Sequence, residues 1–415
     1  MMHAAEEDWS RVQPAIFGSL FQSSMDQKAR HAFGAHFTSE ADIQKVILPT
    51  IVRPFRSRIE AATSLEELNS LREELRSFRV LDPACGSGNF LYVAYRELAR
   101  LEMDIITRTA VKYGKEAIGN IADTVLSTRN FFGIDRVPFA AELAKVTLVL
   151  AKELSILEAR DRLKDKNIFF NAIEQALPLD NLDSNVACQD ALFVEWPKVD
   201  AIVGNPPFQS KNKMQQESGR AYLNEVRDRY PEVPGRADYC VYWFRRAHNE
   251  LGDMKRAGLV GTNTIRQTYS REGRLDYILG HNGTITEAVA SQVWSGDAVV
   301  HVSIVNWIKG SSKGTKRLFL QVGNQASNPW EIYQLREINS SLSHTTDVSQ
   351  ARPLHENRKP KRCFRVQTQG HEAFLLDRAD AEGQIAKHSE YAEILFPYLR
   401  LTICWATRIR SHPGT

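Results

Sequence analysis

The sequence predicts an α/β fold, a doubly wound and mainly parallel sheet, and three observations predict it. From Phe78 onward short apolar runs alternate with longer amphipathic ones: Val80-Leu81 before Phe90 to Ile106, Phe131 to Ile134 before Phe139 to Leu157, then Val186 to Cys188 and Val199 to Val203. That rhythm is the signature of strands joined by crossover helices. Between the first strand and its helix lies a glycine-containing turn, Asp82-Pro83-Ala84-Cys85-Gly86-Ser87-Gly88-Asn89-Phe90. The run ending at Val203 stops at Asn205-Pro206-Pro207-Phe208. Two prolines cannot continue a sheet, so Asn205 and Phe208 are presented at a strand's end, where open α/β sheets place their ligands.

The elements follow in order. Residues 9–33 read as a helical lead, with Pro14 in a first turn and Ile16, Leu20, Met25 and Phe33 loosely spaced. Gly34-Ala35-His36-Phe37-Thr38-Ser39 is a break, and Thr38 or Ser39 can cap the helix that carries Ile43, Val46 and Ile47. Residues 57–78 are charged and amphipathic, a pair of surface helices. Residues 209–236 are polar and poor in aliphatics, so this long insertion after the proline turn is a functional flap or plain surface. The αβ rhythm resumes with Tyr239 to Leu251, Leu259-Val260-Gly261, Ile285 to Ala290 and Val299 to Ile308. Gly310-Ser311-Ser312-Lys313-Gly314 reads as a linker, and no βα period is evident beyond it. The expected division is therefore a lead over 1–33, a main domain over 34–310 and a separate domain over 311–415.

Composition excludes several classes. A chain of 415 residues with 43% hydrophobic and 25% charged residues is an ordinary globular protein of two or three domains. No apolar run approaches the roughly 20 residues of a membrane span, and Val146 to Leu157 is broken by Lys152 and Glu153. The first eight residues lack a basic start and an apolar core, so no secretion signal is expected. Five cysteines lie far apart with no Cys-x-x-Cys pair, which argues against a disulfide framework or zinc ribbon and for a cytoplasmic setting. No metal site is expected. The net charge of +3 permits a nucleic-acid partner without demanding one.

The chemistry gathers at strand ends. Glycines in the 82–90 turn let a ligand approach the backbone, and the helix that follows favours negative charge at its start. The third glycine of a dinucleotide fingerprint is missing, with Leu91 in its place, and the acidic Asp82 favours a ligand bearing positive charge. The next strand ends at Asp135, whose carboxylate can accept both ribose hydroxyls. The third ends at Cys188-Gln189-Asp190, and Asp190 can accept the amino group of an adenine ring. An adenosine with a cationic, amino-acid-like tail satisfies all three, and that ligand is S-adenosylmethionine.

On these motifs the chain resembles the N6-adenine-specific DNA methyltransferases of class I, with a Rossmann-like sheet, in which the cofactor motif precedes the catalytic one. The resemblance covers roughly residues 10–310. Gly34 to Thr38 is similar to the upstream cofactor segment, with Phe37 where Tyr is usual. The turn from Asp82 to Phe90 matches Asp-Pro-x-x-Gly-x-Gly-x-Phe, and Asn205 to Phe208 matches the catalytic Asn-Pro-Pro-Phe. Asp238-Tyr239 and Gly258 to Asn263 are similar to the later strand motifs. What this implies is a cofactor site of Phe37, Thr38, Asp82, Pro83, Ala84, Gly86, Gly88, Asn89, Phe90, Asp135 and Asp190. It also implies a catalytic set of Asn205, Pro206, Pro207 and Phe208, double-stranded DNA as partner and a nucleoid-associated location. Pro14 to Gly18 and Trp294 to Ala298 are similar to segments in the methyltransferase part of single-chain type II restriction–modification enzymes. Those enzymes carry a nuclease ahead of it; about 33 residues precede Gly34, so a separate or lost nuclease is expected.

Plain readings stand beside these. Asn205 to Phe208 can be a structural turn, Asp82 a cap, Asp135 an ion-pair partner and Asp190 a solvated acid. Cys85 is a small buried residue rather than a nucleophile, His36 a capping or packing residue, and Trp294 either core or a wall of a base pocket. The basic run Arg358 to Arg362 with Arg365, like Lys211, Lys213 and Arg220, is either a solvated face or a phosphate contact. The family's target-recognition region is longer than 311–415, and likeness ends at Arg400, which leads to the expectation of a partial, truncated domain there. Competing functions are a non-catalytic remnant that binds cofactor or DNA, and a methyltransferase of protein glutamine or RNA. Cytosine-N4 chemistry uses the same turn.

Overall fold

The computed structural model describes residues 38–118, 126–164, 181–294, 300–323, 325, 327–345 and 378–393. The expected lead, Gly34 to Phe37, Ser295 to Ala298, the basic run at 358–365 and the tail after Leu399 lie outside them. Nine strands form one sheet in the order β3-β2-β1-β4-β5-β7-β6-β8-β9. They are β1 Val80–Asp82, β2 Phe131–Asp135, β3 Val186–Cys188, β4 Ala201–Gly204, β5 Arg256–Thr262, β6 Gly283–Val293, β7 His301–Lys309, β8 Lys316–Gln321 and β9 Trp330–Leu335. The first five are parallel; β7 runs antiparallel between β5 and β6.

Successive side chains along each strand enter different layers, as a pleated strand requires. Val80, Ala201, Val203 and Val260 join one core cluster, while Leu81, Ile202, Leu259 and Ala257 join another. The first cluster includes α1 Glu40–Ile47, α2 Arg53–Ala61, α3 Leu65–Ser77, α4 Asn89–Tyr113 and α5 Pro138–Lys164. The second includes α6 Lys211–Arg229, α7 Cys240–Glu250 and residues 265–278. The sheet is therefore doubly wound, as predicted.

Local chemistry sets the helix ends. The Ser39 hydroxyl accepts the Asp42 N–H and caps α1. Ser64 and Glu67 form a reciprocal capping box on α3. The pair expected over 57–78 is present as α2 and α3, but it is not merely surface: Ile59, Leu68, Leu71 and Leu75 are buried.

The boundary expected at 310 falls inside the sheet. Residues 310–314 connect β7 to β8, and β8 pairs in parallel with β6 and antiparallel with β9. The chain divides instead into units Met1–Gln350 and Ala351–Thr415, the second contributing the short helix Arg378–Lys387 to the described residues. The correction has a physical cause: without β8, one whole edge of the 11-residue β6 would present unpaired backbone groups. Among the described residues no helix is long and apolar enough to cross a membrane, and no three His, Cys, Asp or Glu side chains converge as metal ligands.

Candidate cofactor and base site

Strand order reverses between β1 and β4; Asp82 ends β1, Asp135 ends β2 and Asp190 stands two residues past the end of β3. The 82–90 turn is stitched to its neighbours by backbone bonds. Cys85 N–H donates to the Ile134 carbonyl at 3.1 Å, and Gly88 N–H to the Cys85 carbonyl at 2.8 Å. The Pro83 carbonyl accepts the Trp243 indole N–H from α7 at 3.1 Å. Cys85 is buried against Gly133, and burial raises its thiol pKa well above the ordinary value, as suits a packing residue. Gly88 has φ +85° and directly precedes α4; a Cβ there would lie 2.9 Å from the Ala144 Cα, so this glycine lets α4 and α5 touch. Phe90 is buried in the core beneath the turn.

Asp135 holds the turn from the next strand. Its carboxylate accepts Gly86 N–H and Val137 N–H, each at 2.9 Å. Burial raises its pKa against the pull of these N–H groups. A Cβ on Gly86 would meet nothing within 4 Å, so the turn opens to free space there.

Asp82 is fully buried. Oδ1 accepts Ala84 N–H at 3.0 Å, while Oδ2 has no protein partner, and burial pushes the pKa up to about 8. Gly204 is its other neighbour. A Cβ at Gly204 would sit 2.4 Å from Asp82 Oδ1, so only glycine lets β4 deliver the next residue beside Asp82.

That next residue is Asn205. Its Nδ2 donates to the Thr38 hydroxyl at 3.1 Å, and its Oδ1 is buried without a partner. Thr38 thus fixes the amide, which leaves a carbonyl-type acceptor in a half-buried residue. Pro206 is buried, and Phe208 packs against both core clusters. Trp294 meets Phe208 edge-on, centroids 6.3 Å apart, and its buried indole N–H also lacks a partner.

Asp190 does not stand free. It accepts Leu192 N–H at 2.9 Å and the Tyr222 hydroxyl at 2.7 Å, with Arg136 Nε 3.5 Å away. The polar insertion is therefore mostly helix α6, tied to a strand end of the site. Lys213 and Arg220 on it are exposed. The structure brings together Thr38 with Asn205, Asp82 with Gly204, and Gly86 with Asp135; Phe37 lies outside the described residues. Sequence reading missed Tyr222, Arg136 and Trp243. The one available signal was an aromatic, Tyr222, beside Leu223 and Val226 in a mostly polar run.

S-adenosylmethionine is the cofactor of class I methyltransferases, and the residues present fit it. An orphaned carboxylate oxygen on Asp82 suits a cationic tail, the open turn at Gly86 suits close approach, and Asp135 and Asp190 each keep lone pairs for hydroxyl or amine donors.

Residues 58–320 match the family described as MmeI, DNA-methyltransferase domain. The chain is 28% identical over 329 residues to DNA methyltransferase A of Bacillus subtilis (strain 168), covering 75% of this chain and 36% of that protein. The structure of the type IIL restriction–modification enzyme MmeI in complex with DNA superposes with a TM-score of 0.67 at 27% identity, covering 82% of this chain and 45% of that one. The chain thus spans less than half the length of either relative.

Proposed function

The chain belongs to the MmeI DNA-methyltransferase domain family, and from that premise we propose that it methylates the N6 amino group of adenine in double-stranded DNA. The setting is a restriction–modification system, and S-adenosylmethionine supplies a methyl group on a sulfonium. The observation that carries the reading is the Asn205 amide. Its oxygen is a buried, unpartnered acceptor held by Thr38, one residue from the glycine that touches Asp82.

Such an acceptor takes a hydrogen bond from an exocyclic amine and stabilises positive charge as the nitrogen forms its new bond. The Pro206 carbonyl takes the second N–H. Proline rigidity at 206 and 207 keeps both acceptors in place while the amine is aligned for direct transfer. Phe208 offers a ring face to the base, and Trp294 stands edge-on to it as a second wall. A half-buried amide at a strand end cannot reach into stacked DNA, so the base is extruded at a cost of a few kcal/mol. Residues beyond 350, with the basic run at 358–365, belong in this reading to DNA recognition.

Incubation with methyl-labelled cofactor and double-stranded DNA is expected to place label in N6-methyladenine on nucleoside digestion. Label in N4-methylcytosine, in protein, or nowhere rejects the adenine reading. Asn205→Ala is expected to lower transfer by about a hundredfold or more while cofactor binding by calorimetry persists; equal losses in both would reassign Asn205.

A further inference from the structure

We infer that Tyr222 on α6 is a positioning residue for the cofactor's adenine, acting through Asp190. This rests on the reading above in which Asp190 accepts the adenine amine. Four groups from four elements meet here. Arg136 follows β2, Asp190 follows β3, Tyr222 comes from α6 and Tyr239 directly precedes α7. The Tyr222 hydroxyl is 2.7 Å from Asp190 and 2.5 Å from the Tyr239 hydroxyl.

Proton counting orders the network. Asp190 accepts only, so Tyr222 spends its single proton on the carboxylate. Tyr239 must then donate to the Tyr222 oxygen, and Arg136, whose charge acts on Tyr239 and whose Nε lies 3.5 Å from Asp190, closes the ring. Burial raises the pKa of both tyrosines, with Asp190 adding to it, so both remain donors. The guanidinium also lies over the Tyr222 ring, 4.7 Å from its centroid. The backbone Leu192 N–H and the Tyr222 hydroxyl bind different oxygens of Asp190 and fix the plane of the carboxylate. The remaining lone pairs then have one direction in which to meet an amine.

Tyr222 is not needed simply to hold α6 down. Leu223 and Val226 are buried in the second core cluster and do that. Gly219 breaks the helix with φ +84°, so the piece bearing Tyr222 sits independently of the piece that begins just after the proline turn. The ring also reaches the catalytic loop. Tyr239 N–H donates to the carbonyl of Gln209, the residue after Phe208, and its ring packs edge-on against Trp243, which holds Pro83.

The test compares S-adenosylmethionine with its analogue lacking the purine 6-amino group, in the full chain. Tyr222→Phe keeps the ring and removes the hydroxyl. It is expected to raise the cofactor KM about tenfold, to leave kcat within about twofold, and to cut the preference for the amino-bearing cofactor by about the same tenfold. Asp190→Asn is expected to abolish that preference. If Asp190→Asn leaves it intact, Asp190 is not the adenine acceptor and the adenine-subsite reading fails. If Asp190→Asn abolishes it and Tyr222→Phe does not change it, Tyr222 is structural and the inference alone is overturned. Should Tyr222→Phe not fold, Tyr239→Phe decides, since it removes the donor that holds the Tyr222 oxygen in place and leaves that hydroxyl only its bond to Asp190. A fall in preference supports the positioning role, and none overturns it.

Discussion

Asp82 combines full burial with one satisfied and one unsatisfied oxygen. Its pKa rises from 3.8 to about 8 because burial disfavours the charged form. The group therefore keeps its proton at neutral pH with these neighbours. Stability from a raised pKa is fully present below the ordinary value and is lost as pH rises through about 8, so the fold should weaken over that window. A cationic ligand reverses the preference. Cofactor binding at pH 7 is expected to release about one proton, measurable as a dependence of calorimetric heat on buffer ionisation enthalpy. Asp82→Asn should remove that dependence; its absence in the unaltered chain would detach Asp82 from the cationic tail. At this scale the sequence was informative about identity more than about contact. Asp82 and Asn205 could be named from their motifs, but the Thr38 hydroxyl on the Asn205 amide joins residues 167 positions apart, and no local pattern encodes such a bond.

Among the elements, the α4 start bears most directly on the site. Gly88 has φ +85°, and a Cβ would press on the Ala144 backbone at 2.9 Å. Gly88→Ala is expected to cost about 2 kcal/mol or more, a left-handed penalty of about 1–2 kcal/mol plus overlap. Thermal denaturation reads that loss; a variant as stable as the parent would show that α4 and α5 can part. The parallel strands and their helices were legible because burial on both faces produces apolar runs flanked by amphipathic ones. Later elements were not. β8 is Lys-Arg-Leu-Phe-Leu-Gln and β9 leaves Trp330 and Ile332 exposed, so their membership in the sheet depends on pairing with distant β6 rather than on their own pattern. The insertion read as polar because α6 buries few side chains, yet one of its residues reaches Asp190.

Over the whole molecule, the sheet rather than the glycine-rich linker sets the working unit. A chain ended after Gln350 is expected to unfold cooperatively and bind cofactor like the parent, whereas one ended at Gly310 exposes the edge of β6 and should aggregate. Size-exclusion chromatography and thermal scans distinguish them, and a monomeric, stable 1–310 fragment would restore the boundary expected from sequence. The turn from Asp82 to Phe90, the proline turn and α6 all converge on one rim because parallel strands bring residues far apart in sequence to neighbouring ends. The contact between Gly204 and Asp82 has a bearing on how such a protein can change over generations. Asp82 and the strand that delivers Asn205 are separated by less than the width of a methyl group. No single-codon drift at 204 can add a side chain without pressing on the Asp82 carboxylate, and displacements near an ångström at a reacting site can cost about a hundredfold in rate. Under the proposed function, diversification toward new DNA sequences is thereby channelled away from the reaction centre and into the parts that read the bases.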